Sequence, residues 1–143
     1  MKRYIKSAIM PMSEEPKNIR MDLILDPNVR LSTLIQLADD PDYQVRSMVA
    51  YHPNTPPEIL HKLMNDEYVS VVEAVAKNPN TPIDILEVLA NRKGTWECGA
   101  RYLAMYNLVG RPDVSTTMLR KIMQCGFGEL RRLAEKALQE RGL

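Results

Sequence analysis

Residues 45–70 read VRSMVAYHPNTPPEILHKLMNDEYVS, and residues 71–94 read VVEAVAKNPNTPIDILEVLANRKG. The two stretches share the string PNTP, and the prolines that open it, Pro53 and Pro79, lie 26 residues apart. Pro27 lies another 26 residues upstream, and each of the three prolines is followed by asparagine. Equal spacing of a motif over several copies is typical of repeat proteins. The sequence therefore predicts a chain built from 26-residue units.

The repeat continues on both sides of these two copies. A weaker copy begins at Ile19, 26 residues before Val45. Pro112 follows Pro79 by 33 residues, so about seven extra residues interrupt the pattern before a last copy. We expect an N-terminal extension over 1–18 and one helical-repeat domain over 19–143, with repeats near 19–44, 45–70, 71–96 and 97–129 and a C-terminal capping helix over 130–143.

Each unit has the pattern of two helices. The string Asn-Thr-Pro predicts a helix start, with the hydroxyl of Thr55 or Thr81 capping the free amides and Pro56 or Pro82 in the first turn. Apolar residues then recur at helical spacing in two groups per repeat. The first helices carry Ile59, Leu60 and Leu63, Ile85, Leu86 and Leu89, and Leu34, Ile35 and Ala38; the second helices carry Val45, Val49 and Ala50, and Val71, Val75 and Ala76.

A helix pair of this size cannot cover its own apolar face, so successive pairs must stack into one shared core. The predicted fold is all-α: an α-solenoid, wound as a right-handed superhelix, of about nine helices in 26-residue two-helix repeats. The last segment suits a terminal cap because its apolar residues form one stripe and its charged residues can face water. That stripe consists of Leu130, Leu133, Ala134, Ala137 and Leu138.

Two motifs resemble known repeat families. The string V-x-x-x-V-A-x-N-P-N-T-P-x-x-x-L-x-x-L, from Val71 to Leu89, resembles leucine-rich-repeat variant proteins. The run Asp-Pro-Asp-x-x-Val-Arg, from Asp40 to Arg46, is similar to HEAT-like helical repeats. The resemblance covers roughly 19–92, and 112–143 more weakly, and it implies a binding scaffold. The iron–sulfur cysteine cluster of the founding variant protein has no counterpart in the N-terminal region here.

Composition gives no global indication of a partner. The formal net charge is +1, with 45% hydrophobic and 26% charged residues, which is ordinary for a globular protein. Apolar runs are far shorter than the roughly 20 residues of a membrane span, and Pro11 with Glu14 interrupts any signal-peptide pattern. We expect a cytoplasmic protein. Cys98 and Cys125 form neither a disulfide framework nor a metal motif, so we interpret both as buried or half-buried thiols.

Candidate catalytic residues are few. His52 occupies the repeat position of Asp26 and Asn78, which favours a hydrogen bond to the loop backbone over catalysis. His61 falls on the outer side of a first helix and has no second metal ligand at helical spacing. Gly126 to Gly128 is interpreted as the turn between the last two helices. We therefore expect no enzyme activity, no metal and no cofactor.

The departures from the repeat are the first candidates for specificity. The interrupted stretch 94–111 contains Trp96, Arg101, Tyr102 and Tyr106, residue types that often anchor protein interfaces. Trp96 fits the core of a lengthened helix equally well, so both interpretations stay open.

If the second helices line the concave side, their outward residues are candidate contacts for another protein. The leading hypothesis is a protein-binding module acting as an adaptor or inhibitor. Its candidate contacts are Arg46, Ser47, Tyr51, Glu73, Lys77, Trp96, Arg101 and Tyr102.

Charge is uneven along the chain. Residues 1–91 hold 9 basic against 13 acidic residues, and 92–143 hold 10 against 5. The basic half could bind a phosphate backbone or an acidic protein surface, as in the DNA glycosylases built from HEAT-like repeats, although ordinary solvated helix faces explain it too. Self-association is a third possibility, and the oligomeric state stays open. The basic candidates are Arg92, Lys93, Arg111, Arg131 and Arg132, with Arg120 and Lys121 beside them.

Overall fold

The computed structural model describes residues 11–94 and 98–143, the side chain of Cys98 excepted. These residues form nine α-helices and a short 3₁₀ turn, with no strand among them. The fold is therefore all-helical, as the apolar spacing predicts. The helices are α1 (Lys17–Leu25), α2 (Leu31–Leu37), α3 (Tyr43–Tyr51), α4 (Pro57–Leu63), α5 (Val69–Lys77), α6 (Ile83–Asn91), α7 (Cys98–Val109), α8 (Thr116–Met123) and α9 (Gly128–Glu140), and the turn is Met12–Glu14.

The helices form two parallel rows. The first helices of the repeats are α2, α4, α6 and α8, and the second helices are α1, α3, α5, α7 and α9. Each second helix packs against the next one, from α1 through to α9, whereas the first helices in the described chain hardly touch one another. The row with the closer spacing lies inside the curve of a solenoid, so the second helices line its concave side.

The repeat spacing is reproduced in the core. Every predicted second-helix position, from Val45 to Ala76, is buried, and so are Leu60, Leu63 and Leu89. Ile35 is an exception: it is 45% exposed, because its repeat equivalents are His61 and Glu87 on the outer surface. The core position is held by Leu37, which the sequence analysis did not include.

The start of the first helices differs from the prediction. Thr55 and Thr81 do not cap these helices; their buried hydroxyls donate to the carbonyls of Val49 and Val75 in the preceding second helix. The helix N-caps are Pro56 and Pro82, without a side-chain cap. Because the threonine side chain lies inside the repeat, the unpaired carbonyls at the second-helix end are nearer than the amides of the next helix.

The loops after the second helices are joined from repeat to repeat. His52 Nδ1 accepts from the amide of Asn54 at 3.1 Å, the structural role that its repeat position predicts. Asp26 and Asn78 accept from the amide two residues ahead in the same way. The buried amide Nδ2 of Asn78 also donates to the carbonyls of Ala50 and His52, at 2.8 and 3.0 Å. These bonds satisfy buried carbonyls and fix the register between neighbouring repeats.

The lengthened repeat keeps this register in altered form. Asn107 donates to the carbonyls of Ala76 and Asn78, as Asn78 does one repeat earlier. The step from Asn78 to Asn107 is 29 residues, three more than the repeat, and the other four extra residues lie between Asn107 and Pro112. Four residues correspond to about one helical turn, and α7 has 12 residues where α3 and α5 have nine.

The C-terminal helix closes the stack as predicted. Leu130, Ala134 and Leu138 are buried, and Leu133 and Ala137 pack against the same core. Cys125 is half-buried in the turn before this helix, and Gly128 is its first residue. In the described part of the chain, no helix combines the length and the apolar character that a bilayer crossing needs.

Candidate binding groove

Two adjoining clefts lie on the second-helix side and together form what we call the groove. The first has a volume of about 790 Å³ and the second about 600 Å³, and both are lined by Tyr51 and Lys77. The first cleft is also lined by Ile24, Leu25, Pro27, Ser47, Met48, His52, Pro53, Ser70, Glu73 and Ala74. The second is also lined by Ala76, Pro79, Leu103, Tyr106, Asn107, Gly110 and Arg111.

One row of exposed side chains follows the groove across four second helices. Tyr51 and Lys77 stand 26 residues apart, and the pairing of Asn78 with Asn107 places Tyr106 at the next equivalent position. Leu25 begins the row on α1. Leu25, Tyr51 and Tyr106 are 69%, 60% and 52% exposed, which is unusual for side chains of their size and apolar character.

Glu73 contributes a carboxylate to the first cleft. A Cβ atom on Gly99 would lie 2.0 Å from Glu73 Oε1, so the missing side chain of Gly99 lets this carboxylate approach the first turn of α7. A negative charge is favourable at a helix N-terminus. Glu73 is thereby held beside α7, one turn before Lys77 on its own helix.

The structure brings four predicted contact residues together: Ser47, Tyr51, Glu73 and Lys77 all line the first cleft. Arg46, Arg101 and Tyr102 are not among the residues that line the two clefts. Trp96 lies outside the described residues. Leu25, Met48 and Leu103 also line the groove, and sequence analysis missed them, although their positions follow from the spacing that gives Tyr51 and Lys77.

Arg46 is occupied by the fold. Its guanidinium donates to both carboxylate oxygens of Asp66, at 2.7 and 3.0 Å, and to the carbonyl of Asp40. Burial alone would raise the pKa of Asp66, but hydrogen bonds from Arg46 and from the amide of Tyr68 outweigh it and hold that pKa below its usual value. Arg20 makes the same pair with Asp40, at 2.7 Å. These arginines tie each second helix to the following repeat.

Arg101 is the equivalent of Arg46 in the lengthened repeat. The aspartate position, two residues before the helix N-cap, holds Asp66 before α5 but Cys125 before α9. Arg101 Nε is buried and has no hydrogen-bond partner among the described residues. The arginine is therefore retained where its usual carboxylate partner is replaced by a thiol.

Tyr102 belongs to an aromatic cluster at the end of the groove. Its ring stacks on Tyr106, with centroids 6.3 Å apart, and meets Phe127 edge-on at 5.1 Å. Its hydroxyl donates to Glu129 Oε2 at 3.1 Å, and that hydrogen bond to a carboxylate raises the pKa of Tyr102. The cluster fixes Tyr106 beside the second cleft.

The basic candidates are dispersed. Arg111 lines the second cleft while donating to the carbonyl of Pro79, and Arg92 donates to Asn65. Arg131 pairs with Glu135 on its own helix. The remaining exposed basic residues are Lys93, Arg120, Lys121 and Arg132, and of these Arg120 shares a shallow cleft with Arg131 and Cys125.

Within the described residues, no cluster of three or more histidine, cysteine, aspartate or glutamate side chains is arranged to hold a metal ion. His61, on the outer side of α4, faces Asp84 at 3.1 Å. What the described surface offers on the concave side is an elongated groove with apolar walls and a few charges.

Residues 43–67 match the family model described as Leucine rich repeat variant. The matched segment runs from the first residue of α3 to the loop before α5, one helical repeat of the stack. The resemblance inferred from the Asn-Pro-Asn-Thr-Pro and Asp-Pro-Asp motifs is thereby confirmed. No curated protein matches the sequence.

Proposed function

We propose that this chain is a helical-repeat scaffold that binds another protein in its groove, as an adaptor or inhibitor, and that it does so without catalysis. One observation carries the proposal: an aligned row of exposed apolar and aromatic side chains, Leu25, Tyr51 and Tyr106, crosses a continuous pair of clefts. Repeat solenoids use such concave surfaces for partner binding. We keep the cytoplasmic location that the sequence predicts as part of this proposal.

Side-chain chemistry favours protein over nucleic acid as the ligand. Met48, Ala74 and Leu103 provide apolar lining, and a carboxylate, Glu73, lies in the first cleft. A phosphate backbone needs several converging cations, since each neutralised phosphate adds to affinity. Here Arg111 is engaged with a backbone carbonyl and Arg131 with a carboxylate.

Ser47, Tyr51, Glu73 and Lys77 are the proposed contacts in the first cleft, and Tyr106 and Arg111 those in the second. Tyr102 supports Tyr106 from behind. Trp96 and Arg101 remain predicted contacts next to this surface, on the segment where the strict repeat is interrupted.

The test is affinity capture from native extract with the wild-type chain, the double variant Tyr51→Ala/Tyr106→Ala, and a matched outer-surface variant, Ile35→Ala/Val88→Ala. Ile35 and Val88 are 45% and 49% exposed, close to the two tyrosines. Truncating an interface anchor commonly costs about 2 kcal/mol, roughly thirtyfold in affinity. We expect the groove variant to lose a specific protein partner that the outer-surface variant retains.

The same capture is repeated after nuclease treatment, with circular dichroism on every variant. Equal binding by the groove variant and the wild type contradicts the proposal. Loss of all captured protein after nuclease treatment favours nucleic acid as the ligand instead.

A further inference from the structure

We infer that the groove binds a partner segment in the polyproline II conformation, with an acidic residue of that segment opposite Lys77 between the rings of Tyr51 and Tyr106. The inference rests on the proposed function and adds the conformation and charge of the ligand.

The spacing of the row selects the conformation. Packed helices lie about 8–10 Å apart, so Leu25, Tyr51, Lys77 and Tyr106, on four successive second helices, recur at about that interval. A polyproline II helix brings the same face round every three residues, or about 9.3 Å. A β-strand repeats one face about every 6.8 Å, and an α-helix about every 5.4 Å. Polyproline II matches the row most closely.

The side chains in the row fit such a ligand. Tyr51 and Tyr106 present large exposed rings, and aromatic-lined grooves bind proline-rich segments because the rigid ligand loses little entropy on binding. Tyr106 is held by stacking on Tyr102, whose ring also contacts Phe127. A ring that is positioned in advance costs less to immobilise in the complex.

The charge opposite the middle of the ligand is set by Lys77. Lys77 is exposed, lines both clefts, and has no ion-pair or hydrogen-bond partner in the described part of the chain. Glu73, one turn away, lies against Gly99 at the start of α7. The ammonium group is therefore available to a carboxylate of the ligand, and the ligand needs only one acidic residue at this step.

The apolar end of the groove sets the remaining requirement. Ile24, Leu25 and Met48 line the first cleft beside Tyr51. An aliphatic residue of the ligand can bury its side chain here and contributes about 25 cal/mol for each Å² of apolar surface removed from water. The complete ligand spans about three inter-helix steps, or roughly nine to ten residues.

The probes are fluorescent proline-rich peptides of about this length, with leucine at the first anchor position and glutamate two anchor steps later. Both chain directions are synthesised, because a polyproline II helix can bind in either. One control peptide has the glutamate moved by a single residue, and another has lysine in its place. Binding is measured by fluorescence anisotropy to the full chain.

For one chain direction, we expect the glutamate peptide to bind about fivefold more tightly than either control, the range of a partly exposed charge pair. Lys77→Glu should reverse the preference, so that the lysine peptide binds best. Lys93→Glu, at another exposed lysine, should leave the preference unchanged. Tyr51→Ala and Tyr106→Ala should weaken all peptides.

The inference is overturned if the glutamate and control peptides bind equally, or if Lys77→Glu does not change their order. It is also overturned if sedimentation shows a dimer that Tyr51→Ala dissociates, since a second copy would then cover the groove. Partner capture that still depends on Tyr51 and Tyr106 would, in those cases, leave the proposed function standing with a ligand of another conformation. Peptide binding without any captured partner would count against the proposed function alone.

Discussion

Residues 43–91 and residues 98–143 join their repeats with different side chains. In the strict repeats, Asn54 and Asn80 donate to the carbonyls of Pro27 and Pro53 in the preceding loop. After the one-turn lengthening of α7, Arg111 donates to the carbonyl of Pro79, and one repeat later Arg141 donates to that of Pro112. A longer side chain spans the greater distance.

The second difference concerns the arginine on each second helix. Arg46 is paired with Asp66, whereas Arg101 has Cys125 at the equivalent position. In α5 the same position is Val72, which is buried. The repeat therefore accepts an apolar residue at this position and depends on the arginine only where a buried aspartate accompanies it.

The largest expected effect comes from charging the shared core. Val49→Asp or Val75→Asp places a carboxylate at a fully buried position between two second helices, without a partner. Burying an unpaired charge costs several kcal/mol, a large share of the stability of a domain this size. We expect loss of the helical circular dichroism signal and of the cooperative thermal transition.

Val88→Asp is the matched control, because Val88 is 49% exposed on a first helix. It should keep the wild-type melting temperature to within a few degrees. A folded Val49→Asp/Val75→Asp double variant would show that the helix register is wrong.

A smaller effect separates the two arginines. Arg46→Val leaves the carboxylate of Asp66 largely buried without its partner and should cost about 3 kcal/mol. Arg101→Val removes a guanidinium whose Nε has no hydrogen-bond partner in the described structure, and should change the free energy of unfolding by less than about 0.5 kcal/mol. Urea denaturation of both variants measures the difference.

The pH dependence provides the control. Because the pKa of Asp66 is lowered in the folded chain, its pair stabilises the fold above the unfolded-state pKa, and this contribution is lost as the pH falls through the folded value. The stability difference between wild type and Asp66→Asn should therefore shrink below about pH 4. Equal losses for Arg46→Val and Arg101→Val would contradict the assigned difference between the two repeats.

The smallest effect tests the reach of the linking side chain. Arg111→Asn restores the amide found at Asn80, but the lengthened loop puts the carbonyl of Pro79 beyond it, so we expect a loss of about 1 kcal/mol. Arg120→Asn, at an exposed arginine of α8, should have no measurable effect in the same urea titration. A fully stable Arg111→Asn variant would show that this hydrogen bond is not needed.

The sequence by itself determined the repeat length, the helix pairs and most of the core. Prolines spaced by 26 residues end one helix and open the next, and positions such as Val45, Val71 and Leu60 follow from helical periodicity. The structural role of His52 also followed, because a short polar side chain before a proline reaches only its own loop. These are local properties, which depend on residues within one or two turns.

Only the tertiary structure decided which polar side chains remain free. The sequence places Arg46 and Lys77 alike on second helices, but Arg46 reaches Asp66, 20 residues away, whereas Lys77 stays exposed in the groove. Thr55 likewise bonds a carbonyl six residues back instead of the next helix. Such pairings depend on how close neighbouring repeats pack, a distance that the stacking of whole helices sets and that no single repeat encodes.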